Sequence, residues 1–490
     1  MRLASRYRVA LSCSLRFGAI VALSTLAAVG CNARLQASPN MDLPVANEIG
    51  LGSAGSNDDW TTFAYDFKRS GFNPAVTHLT RSTVSRLRLR WKQNVGDKIF
   101  ASPVSYAGNL IVVSEGSKSG RRGSKVYDLS ASDGHLLWEF AMGAQALMTP
   151  TIDPDAGLVI VGNEQKRNPQ SNPSYVFALR LLDGSLVWRQ PVYALLRAAP
   201  IVAGGSVYVG RAGGDPPRCV QGGVTAFNES TGKVVWNWSV DPKPKEGGSV
   251  WGAIAYDGTH LIFGTGNTCQ TPVPTANGAV SLSLDGKPAW SMVAVKDSYY
   301  DADTGGGVML RQGRAYFINK NGLFYSLNDE TGNIVWTTDL NPYAHPPTWW
   351  GGFATPTTDG TTVVEDSGLY EGSRSDDGGE FCMLTAAKPT EVFPGLHSKL
   401  QGMNLSGHVL WSHTMQNRLV GYVALAQGLG FVGLNKDFVA LDLTTGKTLW
   451  SHATPNYINA SMVVVPSGVY GADDAGNVYA FALPSSSPLH

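Results

Sequence analysis

The residues best suited to chemistry gather between positions 215 and 320. Trp251, in Gly248-Ser249-Val250-Trp251-Gly252, offers a rigid π-face, or it is one more packing ring. Asn267, in Gly264-Thr265-Gly266-Asn267, carries a hard oxygen donor of the kind a calcium ion takes, or it is a turn residue. Asp215 follows two glycines and precedes two prolines, where it either reaches a metal or caps a solvated turn. Asp297, Asp301 and Asp303 form an acidic cluster of the sort that often closes a hairpin. Lys320 stands in Asn319-Lys320-Asn321-Gly322, a turn-like setting for a cation.

Other chemistries find no support. Neither Gly-x-Ser-x-Gly nor His-Glu-x-x-His occurs, and the nine His are scattered, so no zinc cluster is indicated. Gly50 to Gly55 matches a dinucleotide pattern by letter, yet no strand precedes it. Gly446-Lys447-Thr448 lacks the first glycine of a phosphate loop, because Leu441 stands there. Cys-x-x-Cys-His occurs nowhere, so no c-type haem attachment is indicated.

What must position these residues is a repeat. Gly, three residues, then Trp recurs seven times: at Trp138, Trp188, Trp236, Trp290, Trp336, Trp411 and Trp450. Trp91 occupies the same place without the Gly. Successive Trp are 47, 50, 48, 54, 46, 75 and 39 residues apart, a period that belongs to four-stranded propeller blades. Val224 to Phe227 and Lys233 to Trp236 read as a hairpin around Gly232, which can take a positive φ. Eight Trp predict an all-β, eight-bladed β-propeller. The 75-residue gap holds one blade plus a loop around Glu371 to Lys388, and Val478 to Phe481 closes the ring with N-terminal strand material.

The first thirty residues read as an address. Four Arg precede the apolar run Phe17 to Val29, and Leu26 to Cys31 resembles a lipoprotein cleavage box. The expected organisation is a signal peptide at 1–30, a tether at 31–58 with Cys31 lipidated, and one propeller at 59–490. The expected place is the periplasmic side of an outer membrane, held only by the lipid, or the soluble periplasm. Removing the four Arg of residues 1–30 leaves 34 basic against 38 acidic residues. That balance argues against nucleic acid as a partner.

Repeats such as Phe438-Val439-Ala440-Leu441-Asp442, followed by Thr445-Gly446 and Trp450, resemble the pyrroloquinoline quinone (PQQ)-dependent dehydrogenase propellers. The resemblance covers roughly residues 58–485. It implies PQQ and Ca²⁺ on the ring axis, with Trp251 as the floor under the quinone. It further implies Asp215, Asn267 and Asp301 around the metal, Asp301 as base with Asp303 its local competitor, and Lys320 beside the quinone C5 oxygen. The adjacent Cys-Cys pair of the methanol-oxidising members is missing. Cys219 and Cys269 lie in the two blades that would flank the site, and a bridge between them is expected in an oxidising compartment. The activity implied is oxidation of an alcohol or polyol. The same repeats also build cofactor-free lipoproteins of outer-membrane assembly, in which the ring holds envelope proteins.

Overall fold

The computed structural model describes residues 59–116, 123–165, 169, 171–213, 219–243, 247–269, 273–296, 302–342, 351–370, 397–415, 419 and 421–484. All belong to the second of two units, Ile49–His490. Cys31, Asp215 and Asp301 lie outside the described residues.

Eight antiparallel sheets of four strands follow one another along the chain as blades of a β-propeller. Blades 1 to 7 span 104–141, 151–192, 201–239, 255–293, 309–339, 357–415 and 424–453. Blade 8 takes its three inner strands from Val463–Val465, Gly468–Ala472 and Asn477–Ala482 and its outermost from Arg88–Asn94. The first strand thus pairs with the last and closes the ring. Blade 6 accounts for the long Trp spacing, with the extra residues between Thr362–Tyr370 and His397–Asn404.

The repeat has a physical cause. Each Gly adopts a positive φ, and a Cβ there would enter the ring of the preceding blade's Trp: Gly134 on Trp91, Gly184 on Trp138, and so on to Gly446 on Trp411. Among the described residues, the indole N–H of seven of the eight, all but Trp336, then bonds a backbone carbonyl of the next blade. Trp138 donates to Leu181 at 3.0 Å and Trp236 to Leu284 at 2.9 Å. At the closure Trp450 donates to the carbonyl of Leu87, which stands where the other blades carry Gly, at 3.1 Å. The apolar core lies between neighbouring sheets, as in the cluster joining Val113 of blade 1 to Val159 and Phe177 of blade 2.

One element has no counterpart in the repeat pattern. Residues 59–73 run across the innermost strands. Trp60 pairs with Ser105 of blade 1, and the carbonyls of Thr61, Phe67, Lys68, Ser70 and Gly71 accept from Ile152, Tyr256, Leu310, Thr358 and Leu425. The Asn73 amide reaches Val464 of blade 8, and Phe67 packs with Ile201 of blade 3. A segment that touches all eight innermost strands occupies the axis. Arg69 is fully buried within it, its Nε 2.7 Å from the Ile254 carbonyl, and burial lowers its pKa to about 9.

Candidate functional site

In each blade the innermost strand runs away from one end of the ring and the second strand returns to it. Residues just before the first and just after the second therefore share that end. Trp251 lies four residues before Ala255–Tyr256, and Asn267 three after His260–Gly264. Asp303 lies six before Met309–Arg311, and Lys320 two after Arg314–Ile318.

The structure brings these four together around the Asp303 carboxylate. Its Oδ1 accepts the Asn267 backbone N–H at 2.7 Å. Its Oδ2 accepts the Trp251 indole N–H at 3.3 Å and the Lys320 Nζ at 3.0 Å. Both partners of the ion pair are buried, Lys320 completely. Lys320 Nζ also stands 5.5 Å from the centroid of Trp251 and 4.8 Å from that of Phe353, so aromatic faces help to hold a desolvated cation.

Glycines allow the approach. A Cβ on Gly305 would strike the Trp251 ring, one on Gly351 the Lys320 backbone, and one on Gly266 would come within 2.6 Å of Asp303 Oδ1. Trp251 and Asn267 are half-buried, and the Asn267 side-chain amide makes no hydrogen bond among the described residues. A disulfide joins Cys219 to Cys269, linking the second-to-third-strand connections of blades 3 and 4 at this same end, Cα atoms 6.4 Å apart.

Asp303, expected only as a competitor, is the carboxylate that the described residues place at the centre. Phe353 went unnoticed in the sequence. Its signal was the flanking Gly351-Gly352, a mark of close backbone approach. Of the expected calcium ligands only Asn267 lies among the described residues, which contain no group of three or more metal-ligating His, Cys, Asp or Glu.

The equivalent positions across the ring carry a different set. Lys98, six residues before the innermost strand of blade 1, lies 3.7 Å from Glu115, two after its second strand. Lys98 also lies 3.2 Å from Asp474 of blade 8, which accepts twice from Asn459 at 2.8 Å. Gln145 donates to Glu115 at 2.6 Å, and Arg197 to the buried Glu164 at 3.0 Å. Burial pushes the Asp474 carboxyl up, and Lys98 opposes it.

The profile described as outer membrane protein assembly factor BamB matches residues 82–168, 170–283, 276–387 and 397–484, nearly the whole ring. The chain belongs to this family of PQQ-like repeat propellers. Among curated relatives, tetrathionate hydrolase of Acidithiobacillus ferrooxidans is 23% identical over 59% of this propeller chain and 56% of its own. Quinohemoprotein alcohol dehydrogenase ADH IIB of Pseudomonas putida is 23% identical over 56% and 46%. The chain thus spans about half the length of the curated relatives it matches.

Among solved structures, quinohemoprotein alcohol dehydrogenase from Comamonas testosteroni superposes with a TM-score of 0.69 at 18% identity, over 88% of this chain and 82% of that one. BamB from Moraxella catarrhalis gives 0.55 at 14%, over 82% and 99%. At such identities the likeness is one of fold.

Proposed function

We propose that this propeller is a quinoprotein oxidoreductase that oxidises an alcohol or polyol on the periplasmic side of the cell envelope. The observation that carries it is the convergence of Trp251, Asn267, Asp303 and Lys320 at one end of the axis. A half-buried indole, an uncommitted amide and an ammonium held beside them suit a flat, anion-forming ligand such as PQQ. Bound there, PQQ would accept the hydride of the alcohol carbon.

The chain's own groups do the rest. Trp251 presents its face, and Asp303 fixes the indole edge through Nε1. Lys320 supplies positive charge where a reduced ligand gains negative charge. Asp303 accepts the hydroxyl proton. Asn267 would hold calcium through its side-chain oxygen, with Asp215 and Asp301 as the further ligands that the family resemblance implies. Electrons leave to a separate acceptor, and Cys31 anchors the mature chain. The test is alcohol oxidation with an artificial acceptor after loading with PQQ and Ca²⁺. Asp303→Asn should lower kcat by about 10²-fold or more with Asp301→Asn affecting chiefly metal dependence. Equal activity in Asp303→Asn and wild type would remove Asp303 from the reaction.

The family match favours a second reading, a cofactor-free ring that holds envelope proteins. It predicts no response to PQQ at all.

A further inference from the structure

Every outer strand carries one unpaired residue directly before its Trp, where the register slips by one. In seven blades that residue is Leu, Val or Ala, from Leu137 in blade 1 to Leu449 in blade 7. In blade 8 it is Arg90. Arg86, Arg88 and Lys92 flank it, and all four cations are exposed. Among the described residues none of the four enters an ion pair; Lys92 only overlies Tyr479 at 5.1 Å. This concentration runs against the slight acidic excess of residues 31–490.

A groove of about 790 Å³ opens at the same place, between the outer strands of blades 7 and 8. Exposed Leu89 and half-buried Leu449 line it together with Arg88, Ser451 and His452, above the buried Leu87 and Trp450. The blade 8 strand pairs on one side only, with Asn477–Ala482, so its other edge is open. Apolar side chains, cations at the rim and an open strand edge are what an extended acidic peptide requires.

We propose that this groove docks an extended acidic segment of a partner protein, its apolar side chains against Leu89 and Leu449 and its carboxylates on Arg86, Arg88 and Arg90. Charge complementarity selects an acidic partner, and the apolar lining selects a peptide over a purely polyanionic chain. The proposal is independent of the quinone site, which lies at the end of the axis.

The test uses the full chain and a fluorescent peptide of alternating Glu and Leu, followed by anisotropy at low salt. Saturable binding is expected, weakened about tenfold or more by Arg86→Gln/Arg88→Gln/Arg90→Gln and by added salt. Leu449→Ser should weaken it further, and Arg189→Gln, on the outer strand of blade 2, should not. Undiminished binding by the triple variant would overturn the proposal. So would equal affinity for a peptide of Glu alone, or binding to anionic phosphatidylglycerol vesicles without binding to the peptide.

Discussion

Blades 1 and 5 build the same bridge with opposite charges. In both, the residue two after the second strand donates its backbone N–H to the carbonyl of the residue six before the innermost strand. Glu115 donates to Lys98 at 2.6 Å, and Lys320 to Asp303 at 3.0 Å. The side chains then pair across the bridge, Lys98 to Glu115 at 3.7 Å and Asp303 to Lys320 at 3.0 Å. What differs is the surroundings. The blade 5 pair is buried under Trp251 and Phe353, while Lys98 keeps 17% of its side chain exposed and shares itself with Asp474. The same bridge joins Glu164 to Gln145 in blade 2 and Leu195 to Ala212 in blade 3; aromatic cover turns the blade 5 pair into a candidate binding centre.

The largest effect should come from breaking the covered pair. Lys320→Ala leaves the Asp303 charge buried without its ammonium and should cost about 3–5 kcal/mol of unfolding free energy in urea. Lys98→Ala should cost only about 1 kcal/mol, because its pair is longer and partly wet. Equal losses would erase the contrast. Exchanging the charges, Asp303→Lys with Lys320→Asp, should recover much of the stability without restoring any quinone response.

Next is the disulfide, which ties blades 3 and 4 beside the covered pair. It closes a loop of 50 residues, so reduction should lower stability by about 2–4 kcal/mol, read as a fall in Tm on adding dithiothreitol. An unchanged Tm would mean the bridge adds nothing to the site's frame.

Blade 1 departs from the repeat in a further way. Opposite Trp138 it carries Asp128, where the other blades place Ala, Ser or Gly opposite theirs. Burial raises the Asp128 pKa to about 7. A raised carboxyl pKa penalises the folded state once the group ionises. Stability is therefore unaffected below about pH 4 and falls as pH rises towards 7. Asp128→Asn should remove that slope, with a gain of roughly 2–4 kcal/mol at pH 7.5, seen in urea midpoints across the range. A pH-independent difference would contradict the assignment.

The smallest effect isolates Trp docking. Gly184→Ala combines a positive φ with a clash on Trp138, whereas Gly205→Ala has the positive φ and open space. The first should cost about 1–2 kcal/mol more than the second.

The ring was legible because its Gly and Trp answer to one cause, a tight turn that receives a neighbour's indole. Closure by residues 88–94 followed from Trp91 keeping that place. Residues 59–73 were not legible: their hydrogen-bond partners are backbone groups of seven separate strands, and backbone pairing leaves no side-chain period. At the site, Trp251, Asn267 and Lys320 stood out by type and order. The choice between Asp301 and Asp303 depends on a two-residue step in a loop, which no periodicity fixes. Phe353 comes from the next blade, and only its two preceding glycines hinted at close approach.

The most direct test of the central claim is titration of the purified chain, residues 32–490, with PQQ, with and without Ca²⁺, followed by Trp fluorescence. The account predicts saturable, calcium-dependent quenching that Trp251→Ala and Asn267→Ala each abolish. Absence of quenching, or quenching that survives both substitutions, would contradict it.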